Sequence, residues 1–224
     1  AQNSADQHQV LAKVLANESE LYIRGAEEQI DSLEDFLADL PETHDDEFLR
    51  KRLDRFVQNS NHFDAIYFLD TSASITHISI HGADQTAITA LYSGVDMSLT
   101  PLYQKRGRLI KSGWSNAFLS VVTGRLSIAY MVLIDSREGR KKLVAELAID
   151  RLSKLSNHLA ESDSLVMILD QSAQLISHPN PDFSQQQINL SNLPFFQKTA
   201  QQDLASSRFQ LDGIEYFGTV LSMD

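Results

Sequence analysis

The sequence contains no cysteine, which excludes disulfide bonds, thiolate metal ligands and cysteine nucleophiles together. It is also poor in positive charge, with 19 Lys and Arg against 30 Asp and Glu, and its net charge is −11. Proteins that bind nucleic acids or anionic membranes need a basic face, so neither partner is expected. No run reaches the roughly 20 apolar residues that a transmembrane helix needs, and the longest uninterrupted run is Ile128 to Ile134.

The 224 residues, of which 42% are hydrophobic, are enough for two small domains with real cores. The N-terminal part predicts helices, because apolar residues recur at steps of three, four or seven from Leu11 to Leu40. Pro41 ends this first helix, and a second amphipathic segment follows from Phe48 to Val57. We expect residues 1–60 to form a helical stalk, with a long core helix as the alternative.

The pattern changes to short strand-like runs after Asn61, punctuated by turn-forming residues. A helical segment around Met97 to Lys105 interrupts them. This alternation predicts an α+β module over residues 61–150, with an antiparallel sheet and flanking helices. The expected strands are Phe63 to Leu69, Ile75 to Ile80, Trp114 to Val122, Leu126 to Ile134 and Leu143 to Ile149.

The sequence also repeats itself in order. Residues 66–75 return as 166–175 with an identical Leu-Asp-x-Ser-Ala core, and residues 98–105 return as 191–198. A weaker third repeat sets Thr123-Gly124 against Asp212-Gly213, each followed by an apolar run. We therefore predict that residues 151–224 form a second, smaller copy of the same module, entered through a connecting helix over residues 151–161.

Two segments, WSNAFLSVVTG with the following LVAELAID and GVDMSLTPLYQK, resemble the distal module of double-Cache sensor domains. The resemblance implies a long N-terminal helix followed by two tandem PAS-like modules. It also implies a periplasmic domain of an inner-membrane receptor that binds a small molecule in its distal module. A homodimer along the N-terminal helices is a further implication.

The kind of receptor is less constrained by these segments. The Trp-Ser…Thr-Gly run looks closest to sensors of diguanylate cyclases and phosphodiesterases, with the sensor of a histidine kinase as the alternative, followed by a chemoreceptor. A small periplasmic hydrolase or a solute-binding protein is the least favoured alternative, because no nucleophile elbow, P-loop or dinucleotide fingerprint is present. We expect no enzymatic activity and no cofactor. No metal site is expected either, since His77 and His81 on one strand would lie roughly 13 Å apart.

The candidate ligand-binding residues lie around the helical insertion and the two central strands. Alternation along a strand would place Trp114, Asn116, Phe118 and Ser120 on one face. Basic residues of the preceding loop, Lys111 among them, would favour a small anion or carboxylate, although a solvated loop and an ordinary aromatic core are the alternatives. The full set is Tyr103, Arg106, Arg108, Trp114, Ser115, Asn116, Phe118, Ser120 and Tyr130.

The chain departs from the amino-acid-binding version of the family at three places. That version has Arg-x-Trp-Tyr where this chain has Thr100-Pro101-Leu102-Tyr103, and acidic residues where this chain has Ser120 and Ala148. An α-amino acid needs a cationic donor for its carboxylate and carboxylates for its ammonium group. We therefore expect that α-amino acids are not the ligand.

Overall fold

The computed structural model describes residues 2–38, 46–106, 112–136, 139–151, 153–154, 166–178, 186–193, 196, 204–211 and 214–221. Contacts between Cα atoms divide the chain into two compact units. The central unit is Gly25–Ile149, and the terminal unit combines Ala1–Arg24 with Asp150–Asp224. The first helix is thus divided between the two units. The predicted three-part division into residues 1–60, 61–150 and 151–224 stays a prediction.

The central unit is built on one antiparallel five-stranded sheet. Its strands follow the order β2-β1-β7-β6-β3, so β7 lies in the middle with β1 and β6 as partners. The elements are α1 (Gln2–Ala38), α2 (Asp46–Asn59), β1 (Phe63–Leu69), β2 (Ile75–Ile80), α3 (Gln85–Tyr92), α4 (Pro101–Arg106), β3 (Ser112–Trp114), β4 (Phe118–Leu119), β5 (Leu126–Ser127), β6 (Ala129–Ser136) and β7 (Gly139–Leu147).

The register of β1 against β7 decides which side chains share a face of this sheet. Tyr67 lies opposite Val144, and Ile66 lies opposite Ala145. The face that carries Tyr67 and Val144 packs against α3 and α4 through residues that include Met97. We call this the covered face. The opposite face contacts α2, where the Ser79 hydroxyl donates to Asp54 Oδ1 at 3.1 Å, and we call it the helix face.

The terminal unit contains four further strands among its described residues. A short hairpin pairs β8 (Ile168–Leu169) with β9 (Leu175–Ser177). A longer one pairs β10 (Leu204–Leu211) with β11 (Ile214–Leu221) along all eight residues of each strand. The first turns of α1 belong to this unit, where the Gln9 amide donates to the Ser206 hydroxyl at 3.3 Å.

The predicted repeat is confirmed by the turns that follow β1 and β8. In the first, Asp70 Oδ1 accepts from the Ser72 amide at 2.8 Å, the Ser72 hydroxyl at 2.7 Å and the Ser74 amide at 2.9 Å. In the second, Asp170 Oδ1 accepts from Ser172 and Gln174 at the same three distances. The alanine of each turn is left-handed, with φ of 67° and 59°. In each turn, therefore, the carboxylate of its own aspartate accepts the three hydrogen bonds, as expected for an Asx-type turn.

The second repeat occupies equivalent positions as well. The Met97 amide donates to the carbonyl of Ala73 at 2.9 Å, and the Leu190 amide donates to the carbonyl of Ala173 at 2.9 Å. The matching side-chain caps are Asp96 on the Ser98 amide, at 2.8 Å, and Asn189 on the Ser191 amide, at 3.0 Å. In both copies the backbone at the start of the repeated Ser-x-x-Pro segment is thus tied to the turn in the same way. The third repeat cannot be compared, because residues 212–213 lie outside the described residues.

Two strands are wrong in the sequence-based prediction. The run from Trp114 to Val122 is not one strand, because β3 ends at Trp114 and only Phe118–Leu119 is again a strand. The run from Leu126 is likewise broken between β5 and β6. The Ser115 hydroxyl accepts from the Ala129 amide at 2.9 Å, which satisfies a strand donor with a side chain and lets the chain leave the sheet. Most of the predicted connecting helix, residues 155–161, lies outside the described residues. No described helix is both long enough and apolar enough to cross a bilayer.

Replacement of the turn aspartates tests the repeat. We expect Asp70→Ala and Asp170→Ala each to lower the free energy of unfolding by about 1–2 kcal/mol, because each removes the acceptor of three hydrogen bonds. Thr71→Ala and Gln171→Ala, at exposed positions of the same turns, are the matched controls. Thermal unfolding would contradict this account if the aspartate variants were as stable as their controls.

Candidate functional site

A buried carboxyl group, that of Glu146, lies on the covered face. Glu146 of β7 is fully buried, with 0% of its surface exposed. Its Oε1 accepts from the Tyr67 hydroxyl at 3.0 Å and from the Ser120 hydroxyl at 2.9 Å. Its Oε2 has the Thr123 hydroxyl at 3.5 Å, at the limit of a hydrogen bond. Among the described residues its donors are all neutral hydroxyls, which is unusual in a core, where buried carboxylates are generally paired with a charge.

The loop between β4 and β5 closes over this carboxyl group. Ser120 connects the loop to the carboxyl group, since its hydroxyl also accepts from the amides of Val122 and Thr123 at 3.1 and 3.0 Å. The Gly124 amide donates to the Ser120 carbonyl at 2.9 Å, and Gly124 has φ of 69°, a conformation that favours glycine. At the outer edge of the loop, the Tyr92 hydroxyl of α3 donates to the Val122 carbonyl at 3.0 Å. The loop thus has bonds to both the sheet and its helical cover.

Burial governs the ionisation of this group. Removal from water raises the pKa of Glu146 to about 7, and the negative charge of Asp64 adds to the rise against the opposing hydrogen bonds. Burial, followed by the proximity of the Glu146 charge, raises the pKa of Tyr67 well above its ordinary value. Tyr67 therefore stays a neutral donor, while Glu146 exchanges its proton near neutral pH.

A cation occupies the other end of the same face. Lys142 precedes Glu146 by four residues on β7, and its Nζ lies 4.3 Å from the centre of the Tyr103 ring of α4. Burial lowers the pKa of this half-buried lysine. The covered face therefore carries an ammonium group near α4 and a carboxyl group beneath the loop.

Three of the sequence-predicted site residues come together on this face. Phe118 and Tyr103 pack in the core of the covered face, and Ser120 binds Glu146. Ser115 and Asn116 lie in the irregular link from β3 to β4, where the Ser115 hydroxyl donates to the Asn116 carbonyl at 2.8 Å. Arg106 is the last residue of α4, and its side chain lies outside the described residues, as do Arg108 and Lys111 entirely.

The expectation that Trp114 shares a face with Phe118 and Ser120 is wrong. Trp114 pairs with Tyr130, whose neighbour on β7 is Ala145, so both aromatic residues lie on the helix face. Their ring centroids are 5.1 Å apart, and the Trp114 Nε1 donates to Glu27 Oε1 of α1 at 2.6 Å. The Trp114 side chain thus links the edge strand β3 to α1. Neither Trp114 nor Tyr130 lines the covered face.

Sequence reasoning missed the two charged residues of the site. Glu146 lies within the apolar segment LVAELAI, two residues before the position at which an acidic residue was sought. A glutamate alternating with valine on an otherwise buried strand is the signal that could have revealed it. Lys142 and Tyr67 gave no such signal, because a lysine near a strand end and a tyrosine in a core are both ordinary.

A second concave surface of the central unit lies between α1 and α2. It is an open groove with exposed arginines along its rim, and its lining is Gln29, Arg52, Arg55, Phe56, Asn59 and Ser60. Arg52 stacks on the Phe36 ring at 4.3 Å from its centre. Because the groove is open to solvent and its arginines are exposed, it is a weaker candidate than the covered face.

Comparison with solved structures gives the class of fold. The extracellular domain of a protein assigned as a histidine kinase superposes with a TM-score of 0.76 at 15% identity, over 96% of this chain and 88% of that chain. The Campylobacter jejuni chemoreceptor Tlp3 ligand-binding domain, in complex with L-norvaline, gives 0.64 at 15% identity over 96% and 84%. The Pseudomonas aeruginosa amino acid chemoreceptor PctC, in complex with GABA, gives 0.63 at 13% identity over 98% and 100%.

The chain therefore has the α+β fold of extracellular Cache-type sensor domains, which confirms the predicted resemblance. No family model matches the sequence. No curated protein matches it either. The similar structures named above belong to a protein assigned as a histidine kinase and to chemoreceptors, and they give no support to the predicted cyclic di-GMP output.

The pH dependence of stability tests the ionisation of Glu146. Its carboxyl has a pKa of about 7 in the fold and the ordinary value of 4.5 when unfolded. Between these values the folded protein retains a proton that the unfolded chain has lost, so stability falls as pH rises through this window. We expect Glu146→Gln to remove this fall, which is on the order of a few kcal/mol. Unfolding curves at several pH values would contradict the assignment if wild type and variant changed in parallel.

A double-mutant cycle tests the position of Trp114. Trp114→Phe retains the ring packing on Tyr130 and loses the bond to Glu27, so we expect it to cost about 1–2 kcal/mol of stability. In a Glu27→Ala background the same change should cost much less, because the acceptor is already absent. Equal costs in both backgrounds, measured by denaturant unfolding, would show that the bond contributes nothing.

Proposed function

We propose that this chain is the ligand-sensing domain of a membrane-bound bacterial receptor, with its ligand held on the covered face of the central unit. The carrying observation is that Lys142 and Glu146 lie on one face of a central strand, with Lys142 over the Tyr103 ring of α4 and Glu146 bonded to Ser120 of the loop. Two ionisable groups of opposite sign on one covered face are more than a core requires. They suit a small charged molecule that would be enclosed between the sheet, α4 and the loop.

The ligand in this proposal is a small organic carboxylate. Lys142 would receive the carboxylate group, helped by the basic residues that the sequence places after α4, Arg108 and Lys111. At the other end, Glu146 would accept from a hydroxyl or ammonium group of the ligand, since the bond to its Oε2 within the described part of the chain is the long one from Thr123.

The spacing of the two charges argues for a ligand longer than an α-amino acid. Residues four apart on a strand have Cα atoms roughly 13 Å apart. An α-amino acid carries both charged groups on one carbon, whereas an ω-amino carboxylate separates them by several methylene groups. GABA, which the PctC structure contains, is a molecule of this kind.

For the whole receptor we propose a periplasmic position for this domain and a histidine kinase output. The similarity to an extracellular domain assigned to a histidine kinase, at a TM-score of 0.76, favours this output over a chemoreceptor or a cyclase. Ligand enclosure must stabilise one arrangement of the domain over another, because a ligand that binds both arrangements equally transmits nothing.

Isothermal titration with a small panel tests the binding proposal. The panel comprises GABA, 5-aminopentanoate, 4-hydroxybutanoate and, as contrasts, norvaline and isoleucine. We expect binding of at least one of the first three and a loss of about tenfold or more in Lys142→Met, because a charge-assisted contact is removed. Lys141→Met is the matched control, since it removes the neighbouring lysine from the other face of β7.

Two results would contradict the proposal. The first is tight binding of norvaline or isoleucine with none of the longer compounds. The second is a binding constant that Lys142→Met and Lys141→Met leave equally unchanged. A panel that gives no heat of binding, repeated in a thermal-shift screen of wider carboxylates, would also count against a carboxylate ligand.

A further inference from the structure

We propose that Glu146 is a proton-binding site that keeps the loop over residues 120–125 closed when it is protonated and releases it when it is ionised. This control would act on the site proposed above and in that respect rests on the proposed function. The closure itself is a property of the domain without ligand, so it can be tested independently.

Within the described part of the chain, the groups that hold Glu146 carry no positive charge that would balance an ionised carboxyl. The carboxyl group is fully buried, and its donors Tyr67, Ser120 and Thr123 are all neutral hydroxyls. The three hydroxyls donate to the carboxyl and favour its ionised form, but burial outweighs them and favours a protonated carboxyl. An ionised one leaves a net negative charge in a place that water does not reach, which is costly.

The charged and titratable groups around the carboxyl also affect its ionisation. From β1 it faces Tyr67 and is near the negative charge of Asp64, which disfavours ionisation. The titratable side chains on the covering helices are Tyr92 of α3 and Tyr103, Lys105 and Arg106 of α4, of which the last two lie outside the described side chains, and Arg125 follows the loop. The cation on this face, Lys142, is four residues away on β7 and lies over the Tyr103 ring. Near the carboxyl, then, charge opposes ionisation.

The hydroxyl of Ser120 links the carboxyl directly to the loop backbone. The Ser120 hydroxyl donates to Glu146 Oε1 and accepts from the Val122 and Thr123 amides, so one hydroxyl holds both groups. The outer side of the segment is exposed, with Leu119 at 53% and Val121 at 52%. In this proposal the loop opens when Glu146 gives its proton to solvent, withdrawing Val122 from the core and breaking its bond to Tyr92, and the water admitted relieves the cost of the buried charge.

Two NMR measurements on the unliganded domain test this proposal. Titration of the carboxyl carbon of Glu146 should give a transition near neutral pH. Hydrogen exchange, corrected for its intrinsic pH dependence and referenced to Val144, should show protection at Val122 and Thr123 falling about tenfold or more across that transition. In Glu146→Gln this fall should vanish. Glu28→Gln, at an exposed position of α1, should behave like wild type.

A second variant separates the proton site from its link to the loop. In Ser120→Ala the Glu146 carboxyl should still titrate, while the protection of Val122 and Thr123 should be low at every pH. The proposal is overturned if Glu146 titrates near its ordinary value of 4.5 or not at all, or if wild type and Glu146→Gln lose protection alike. These results say nothing about ligand binding, so failure of the proton site and failure of the carboxylate site are distinguishable.

Discussion

The pairing of β7 on both sides is the constraint on which the central unit depends. Successive side chains of a strand point to opposite faces of the sheet, and because both faces are covered around β7, this strand buries side chains on both of them. On β7 this sends Leu143, Ala145 and Leu147 to the helix face and Val144 and Glu146 to the covered face. Burial of a glutamate then requires hydrogen-bond donors around it, and Tyr67 and Ser120 supply them. The candidate site follows from this alternation.

The parts of the fold that could be predicted from the sequence are those whose interactions are local. The turn at Asp70 is completed within five residues, by a carboxylate that binds the two following polar positions. The same residues at Asp170 therefore give the same turn, whatever lies around it. Strands β1 and β2 were predicted with their observed ends for a related reason, since turn residues bound them on the sequence itself.

The site was harder to predict because it depends on contacts between distant segments. The face of Trp114 is set by the register of β3 against β6 and by the side chain of Ser115, which replaces a strand hydrogen bond. Glu146 was missed because its hydrogen-bond partners, Tyr67 and Ser120, lie on distant segments of the chain. Neither the register nor a cross-sheet hydrogen bond is visible in spacing along one strand.

Chemical-shift mapping with GABA or 5-aminopentanoate tests most directly whether the buried carboxyl group of Glu146 takes part in sensing by the central unit. We predict that the largest amide shifts fall at Ser120 to Gly124, with a further shift at the Glu146 carboxyl carbon. Shifts confined to the terminal unit, around Asp170 to Leu190, with the central unit unchanged, would contradict the account.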